Sequence, residues 1–132
     1  MVIKIAIIWR MDLKEIPLGK KMTQSAHCSH IFLHKRIMEN ALTGNIVLNG
    51  KELEWFLTNH RTIVLGVRSE EDLFVIKEKA IELGIDANLV TDIGLTVFDK
   101  PTTTCLTLGP DEDCLIDKVT GTKGPLGRLK LV

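Results

Sequence analysis

Residues 2–9 read VIKIAIIW, a run that is almost continuously apolar and rich in β-branched side chains. Such a run is typical of a strand covered on both faces, so we predict a buried central strand here. The chain then turns polar from Asp12 to Gly19 and contains Pro17, which predicts a connecting loop. A long helix is predicted over about 20–43, because residues suited to a packed face recur at helical spacing and a glycine follows.

Strand and helix patterns alternate through the rest of the chain. TIVLGV (62–67) predicts a second strand, and Ser69 with Asp72 resembles a capping box that starts a helix ending at Gly84. NLVT and TTCLTLG predict the third and fourth strands. The segment 45–60 is ambiguous and fits a short helix that ends near Asn59. Pro110 is expected to open another short helix, and residues 122–128 are expected to form a loop. LKLV (129–132) fits an edge strand or an extended tail.

This order of elements predicts an α/β fold of two or three layers, and we expect residues 1–132 to form a single domain. The chain is 45% hydrophobic and 26% charged, which excludes a disordered, collagen-like or disulfide-scaffold protein. No apolar run reaches the roughly 18–20 residues of a membrane-spanning helix, and no secretory signal is recognisable, so we expect a cytoplasmic protein without membrane contact. Cys28, Cys105 and Cys114 lack a C-x-x-C spacing and are expected to be buried reduced thiols.

The charges are unevenly distributed although the net charge is zero. Residues 1–38 hold seven Lys or Arg against two acids, whereas residues 39–99 hold eleven acids against five bases. A basic N-terminal third permits a positive surface for a polyanion.

Gly19 and Lys20 lie where the predicted loop enters the predicted long helix. Free backbone amides and the positive end of the helix dipole attract a phosphate or a developing oxyanion at such a point, and a lysine adds a mobile charge. The spacing is not that of a Walker A motif. The alternative interpretation is a solvated lysine in the first helical turn.

Histidine and aspartate residues provide the other candidates. His27, His30 and His34 share one helix face, but a metal site needs a further ligand, and the H-E-x-x-H motif is missing, so no metal site is predicted. Asp92 directly follows a predicted strand, where acids in α/β folds often face a ligand crevice. A turn made with Gly94 explains Asp92 equally well.

Several segments together resemble the type 2 peptidyl-tRNA hydrolase family. They are, in order along the chain, RMDL (10–13), GKKMTQSAH (19–27), TDIGLT (91–96), TTTCLTLGP (102–110) and IDKVTG (116–121). The resemblance extends over almost the whole chain, and five ordered motifs are far more specific than any single one.

The resemblance implies a four-stranded mixed β-sheet flanked by helices in a protein that is usually a homodimer. The implied activity is hydrolysis of the ester between a peptide and the 3′ ribose of tRNA, with no cofactor and no metal. Five residues match catalytic positions of the family: Lys20, His27, Asp92, Thr96 and Thr104. Such a reaction needs an oriented water and stabilisation of a negative oxygen, and the residue that serves as the base stays open.

Substrate binding is expected to use the basic N-terminal third without reading sequence. The expected substrate-binding residues are Gly19, Lys21, Gln24, Lys14, Lys35 and Arg36. The chain departs from the family pattern at 12–19, 97–101 and 122–128. The alternative function is therefore a non-catalytic or repurposed relative that binds RNA, a nucleotide or a protein partner.

Overall fold

The computed structural model of this chain describes residues 2–95 and 97–132. In that part of the chain it contains five strands and four helices. In chain order they are β1 (Ile3–Arg10), α1 (Leu18–Glu39), α2 (Gly50–Leu57), β2 (Thr62–Val67), α3 (Glu70–Glu82), β3 (Ala87–Asp92), β4 (Thr102–Glu112), α4 (Asp113–Thr120) and β5 (Lys130–Leu131).

All five strands form one mixed sheet in the order β3-β4-β1-β2-β5. β1 runs parallel to β2 and antiparallel to β4, while β3 and β5 pair antiparallel with β4 and β2. The α/β class is confirmed, but the predicted count of four strands is wrong by one. The fifth strand contains Lys130 and Leu131, opposite Gly66 and Leu65, and it is the edge strand that LKLV allowed; the count of four came from the family resemblance.

The sheet lies between two helical layers, so the architecture has three layers. Alternate residues of β1 face opposite sides, as the nearly continuous apolar run predicts. Ile5 and Ile7 pack with α1 and α2 on one side, in a cluster that includes Phe32 and Trp55. On the other side, Ala6 and Ile8 pack with buried residues of α3 and α4, namely Leu73, Ile76, Ala80, Ile116 and Val119.

Two predicted helix boundaries are wrong. α1 ends at Glu39 rather than near residue 43. Pro110 does not open the last helix but lies inside β4, which continues to Glu112 because that residue still pairs with Ile3 of β1. Pairing with the central strand therefore overrides the local signal of a proline followed by acidic residues.

The expectation of three buried reduced thiols is also wrong. Cys28 and Cys105 are buried, as expected, but they form a disulfide between α1 and β4. Cys114 is a free thiol and is exposed. The sequence could not show this pairing, because the two cysteines are 77 residues apart and meet only when α1 packs on the sheet.

Arg10 ties the end of β1 to its neighbours. Its guanidinium donates to Asp12 at 3.0 Å, to Glu70 at the start of α3 at 3.0 Å, and to the backbone oxygen of Thr103 at 2.9 Å. The RMDL segment therefore connects the end of the central strand β1 to β4 and to the start of α3. Among the described helices, none combines the length and hydropathy needed to span a membrane.

Candidate active site

Lys20 and Asp92 form an ion pair at one end of the sheet. Lys20 lies in the first turn of α1 and Asp92 is the last residue of β3, with 2.5 Å between Nζ and Oδ2. The two side chains are 14% and 9% exposed, so the pair is largely shielded but open to solvent on one side. The start of a long helix also contributes the positive end of its dipole at this point.

A tight turn after β3 holds the other oxygen of Asp92. Gly94 has a φ of +87° and donates its backbone N–H to Asp92 Oδ1 at 2.8 Å. A Cβ at this position would lie 2.5 Å from the backbone carbon of Lys100, so the turn requires glycine. Asp92 thus bonds to the Gly94 turn through one oxygen and faces Lys20 with the other. A role in the turn and a role in a ligand crevice therefore do not exclude each other.

The surroundings of Asp92 stabilise its charged form. The hydrogen bond from Lys20 is the main cause that lowers the pKa of Asp92 below its usual value of 3.8, and the Gly94 N–H adds to it. The charges of Lys20 and His27 lower the pKa further, while burial opposes them. Asp92 is therefore a carboxylate at neutral pH.

Gln24 and Thr104 lie beneath this ion pair. Gln24 is 1% exposed and Thr104 is 0% exposed. The Thr104 hydroxyl donates to Gln24 Oε1 at 2.7 Å, and Gln24 Nε2 donates to Asp92 Oδ2 at 3.1 Å. The expected role of Gln24 in substrate binding stays a prediction, and in the structure its amide contacts Thr104 and Asp92.

His27 follows Lys20 by about two turns of α1, so the two side chains lie on the same face of the helix. Its side chain is exposed, and its ring is 6.1 Å from that of His30. Thr96, the remaining expected catalytic residue, lies outside the described residues. Over the ranges that the structure describes, no three His, Cys, Asp or Glu side chains are grouped closely enough to hold a metal ion.

The expected substrate-binding residues are divided between free and paired groups. Gly19, Lys21 and Lys14 are exposed around the start of α1. Lys35 is paired with Asp86 at 2.7 Å, far along α1. Arg36 donates to the buried carboxylate of Glu52 at 2.9 Å and to Glu39 at 2.9 Å.

The structure gives Arg36 a structural role, and its expected contact with phosphate stays a prediction. Glu52 is 1% exposed and closes a capping box with Asn49 at the start of α2, so its charge must be paired inside the protein. The Asn-x-x-Glu pattern at 49–52 was the available sequence signal for this structural role.

Sequence reasoning missed Phe98. Lys20 Nζ lies 5.8 Å from the centre of the Phe98 ring, within the range of a cation–π contact. The signal was an aromatic residue in the loop directly after the TDIGLT motif. Phe98 forms one apolar wall beside the ion pair.

Comparison with known proteins identifies the family. The family model described as "Peptidyl-tRNA hydrolase PTH2" matches residues 3–124. A peptidyl-tRNA hydrolase of Nanoarchaeum equitans is 35% identical over 92% of this chain and 96% of its own length. One of Methanothermobacter thermautotrophicus is 36% identical over 89% and 95%, and one of Thermococcus onnurineus is 34% identical over 89% and 92%. The chain therefore belongs to the peptidyl-tRNA hydrolase PTH2 family.

Proposed function

We propose that this protein hydrolyses peptidyl-tRNA, cleaving the ester between the peptide and the 3′ ribose at the Lys20–Asp92 pair. The observation that carries the assignment to this site is the 2.5 Å contact between the two side chains. They come from two motifs separated by 72 positions, and the fold brings them together at one end of the sheet. The activity is that of the family to which the chain belongs.

Lys20 is proposed to stabilise the transition state. A water oxygen attacks the acyl carbon, and the carbonyl oxygen becomes an oxyanion. An ammonium group has three donors, so Lys20 can keep Asp92 and still donate to that oxyanion. Asp92 holds the ammonium in place.

His27 is proposed to accept the proton of the attacking water. Neutral imidazole is the usual general base near neutral pH, and His27 lies on the Lys20 side of α1 with its side chain exposed. When the ester bond breaks, His27 returns this proton to the ribose oxygen, and the new carboxylic acid releases its proton to solvent. The products are a peptide carboxylate and a tRNA with a free 3′ hydroxyl.

Gln24 and Thr104 are proposed as positioning residues. The burial of both side chains supports a role beneath the reacting groups, with Gln24 holding the Asp92 oxygen that faces Lys20. Thr96 is proposed as a further site residue on the basis of its position in the TDIGLT motif.

The tRNA is proposed to bind around the start of α1. Lys14, Lys21 and the backbone at Gly19 are exposed near Lys20 and suit phosphate contacts that read no sequence. Lys35 and Arg36 contribute less, because each is already paired with a carboxylate. A cytoplasmic location is proposed as well, because the proposed substrate is a product of translation.

A homodimer is proposed through the side of α1 that faces away from Lys20. Leu18 and Met22 are 72% and 63% exposed there, beside a groove of about 210 Å³ that Trp9, Val64 and Val132 help to line. Exposed apolar surface of this kind favours association between protein surfaces. Sedimentation should show a dimer for the wild type and a monomer for Leu18→Glu.

Release of free peptide from a model peptidyl-tRNA tests the proposal. Lys20→Ala should lower kcat by roughly 100- to 1,000-fold, the usual effect of losing an oxyanion donor, and Asp92→Ala should lower it as well. Lys118→Ala provides the control, because this exposed lysine lies on α4, on the opposite side of the sheet. Unchanged turnover in Lys20→Ala or Asp92→Ala would remove that residue from the mechanism.

The alternative of a non-catalytic relative is not favoured. The match to peptidyl-tRNA hydrolases covers about nine tenths of this chain and more than nine tenths of theirs. The candidate site also keeps a complete set of contacts from Thr104 through Gln24 and Asp92 to Lys20.

A further inference from the structure

β3 is an edge strand with one free side. It pairs with β4, and no other strand of the described chain lies beside it. Gly109 donates its N–H to the backbone oxygen of Asp86 at 2.8 Å. In the register of β3 with β4, Asn88 is therefore the next residue whose backbone is hydrogen-bonded to β4. Because bonded and non-bonded residues alternate in an antiparallel pair, Ala87 and Leu89 direct their N–H and C=O groups away from β4.

Two buried polar atoms lie next to this edge without a hydrogen-bond partner in the described part of the chain. They are Asp86 Oδ2, directly before β3, and Asn88 Nδ2 within it. Residues two positions apart in a strand direct their side chains to the same face. One atom is an acceptor and the other a donor, so this edge holds unused hydrogen-bonding groups of both kinds.

A groove of about 540 Å³ lies along the same edge, between β3 and the second half of α1. Its charges favour a peptide over RNA, because the ammonium of Lys35 is already paired with Asp86 at 2.7 Å and the carboxylate of Glu39 with Arg36 at 2.9 Å. The apolar side chains in its lining are Ile31, Met38 and Leu89.

We propose that the free edge of β3 binds the peptide moiety of the substrate as an added strand, an inference that rests on the proposed function. Asp92 ends β3 and meets Lys20, so the C-terminal ester lies at that end of the strand. The preceding peptide residues run back towards Ala87, parallel to β3. Main-chain hydrogen bonds recognise a peptide whatever its side chains are, which suits hydrolysis of peptides of any sequence.

The length of the peptide provides the first test. A strand advances about 3.3 Å per residue, so about three residues reach from the ester to Leu89 and about five reach Ala87. The kcat/KM should rise roughly tenfold or more from N-acetyl-aminoacyl-tRNA to pentapeptidyl-tRNA, since each added hydrogen bond is worth roughly fivefold, and then level off. Equal kcat/KM values at all lengths would overturn the inference.

Single N-methylation along the pentapeptide provides the second test, on the wild-type protein. Only alternate N–H groups of an added strand face β3, so kcat/KM should fall at every second position. A uniform loss, or no loss at any position, would contradict an added strand. Failure of the wild type to hydrolyse both N-acetyl-aminoacyl-tRNA and pentapeptidyl-tRNA would refute the proposed function itself, whereas equal cleavage of both would overturn only the added strand.

A pair of proline variants provides the third test. Leu89→Pro removes an N–H that faces away from β4 and spares the ladder. Leu131→Pro is the matched control at the opposite edge of the sheet. The Val132 N–H donates to the backbone oxygen of Val64, so the N–H of the preceding residue, Leu131, faces away from β2. The ratio of kcat/KM between pentapeptidyl-tRNA and N-acetyl-aminoacyl-tRNA should approach one in Leu89→Pro and stay at the wild-type value in Leu131→Pro. The same ratio in all three proteins would overturn the inference, and if Leu89→Pro does not fold, the N-methyl series decides.

Discussion

Gln24 donates from Nε2 to Oδ2 of Asp92 at 3.1 Å, the same oxygen that Lys20 contacts. The orientation of the Gln24 amide is fixed, because its Oε1 accepts the hydroxyl of Thr104 at 2.7 Å. The donor end of the amide must therefore face Asp92. A buried glutamine thus connects β4 to the ion pair and directs the carboxylate at Lys20.

Gln24→Glu should shift the pH dependence of hydrolysis. The substitution replaces a donor with a second carboxyl next to Asp92, and two close carboxyls raise the pKa of at least one of them. We expect the acidic limb of the kcat/KM profile to move to higher pH, with a lower kcat at neutral pH. Initial rates of peptide release between pH 4 and pH 8 measure both effects.

Ala41→Glu is the control for an added carboxyl. Ala41 is exposed in the turn that follows α1, at the opposite end of the helix from Lys20. The acidic limb of this variant should coincide with that of the wild type. Identical profiles for Gln24→Glu and Ala41→Glu would show that Gln24 does not position Asp92.

Asp92→Asn should remove a pH-dependent part of the free energy of unfolding. The pKa of Asp92 is lower in the folded protein than its usual value of 3.8, so its ionised form stabilises the fold. This contribution is fully present above the unfolded pKa and is lost as pH falls through the folded pKa. Urea unfolding should show a larger wild-type advantage at pH 7 than at pH 3.

Asp99→Asn provides the comparison, since Asp99 is exposed in the loop before β4. The difference in free energy of unfolding between Asp99→Asn and the wild type should be similar at pH 7 and pH 3. If Asp92→Asn behaves in the same way as Asp99→Asn, the lowered pKa of Asp92 contributes nothing to stability.

The sequence predicted the ends of the candidate site better than its interior. Lys20 and Asp92 could be proposed because a helix start and a strand end are local features that attract charge. The contact of Gln24 with Thr104 could not, because it joins positions 80 residues apart and depends on how α1 packs on β4. The same limit explains the missed pairing of Cys28 with Cys105.

Arg36→Met should destabilise the fold, because Arg36 pairs with a carboxylate that is almost completely buried. Glu52 is 1% exposed and receives the Arg36 guanidinium at 2.9–3.1 Å. Removing one partner of a buried ion pair typically costs about 3–5 kcal/mol. Urea unfolding at pH 7 measures the loss, and Lys35→Met, which removes a more exposed pair, should cost less than about 1 kcal/mol. Equal losses of unfolding free energy in Arg36→Met and Lys35→Met would mean that the burial of Glu52 does not increase the contribution of its ion pair to stability.

Binding of tRNA should weaken as the salt concentration rises, because phosphate contacts release counterions. Lys21→Ala should reduce the slope of log K against log salt by roughly 0.7–0.9, the contribution of one phosphate contact. Lys35→Ala should leave the slope nearly unchanged, since Asp86 already neutralises that ammonium at 2.7 Å. Titrations of deacylated tRNA at several salt concentrations give these slopes. A larger change for Lys35→Ala than for Lys21→Ala would place the tRNA along the second half of α1, where the peptide is proposed to bind.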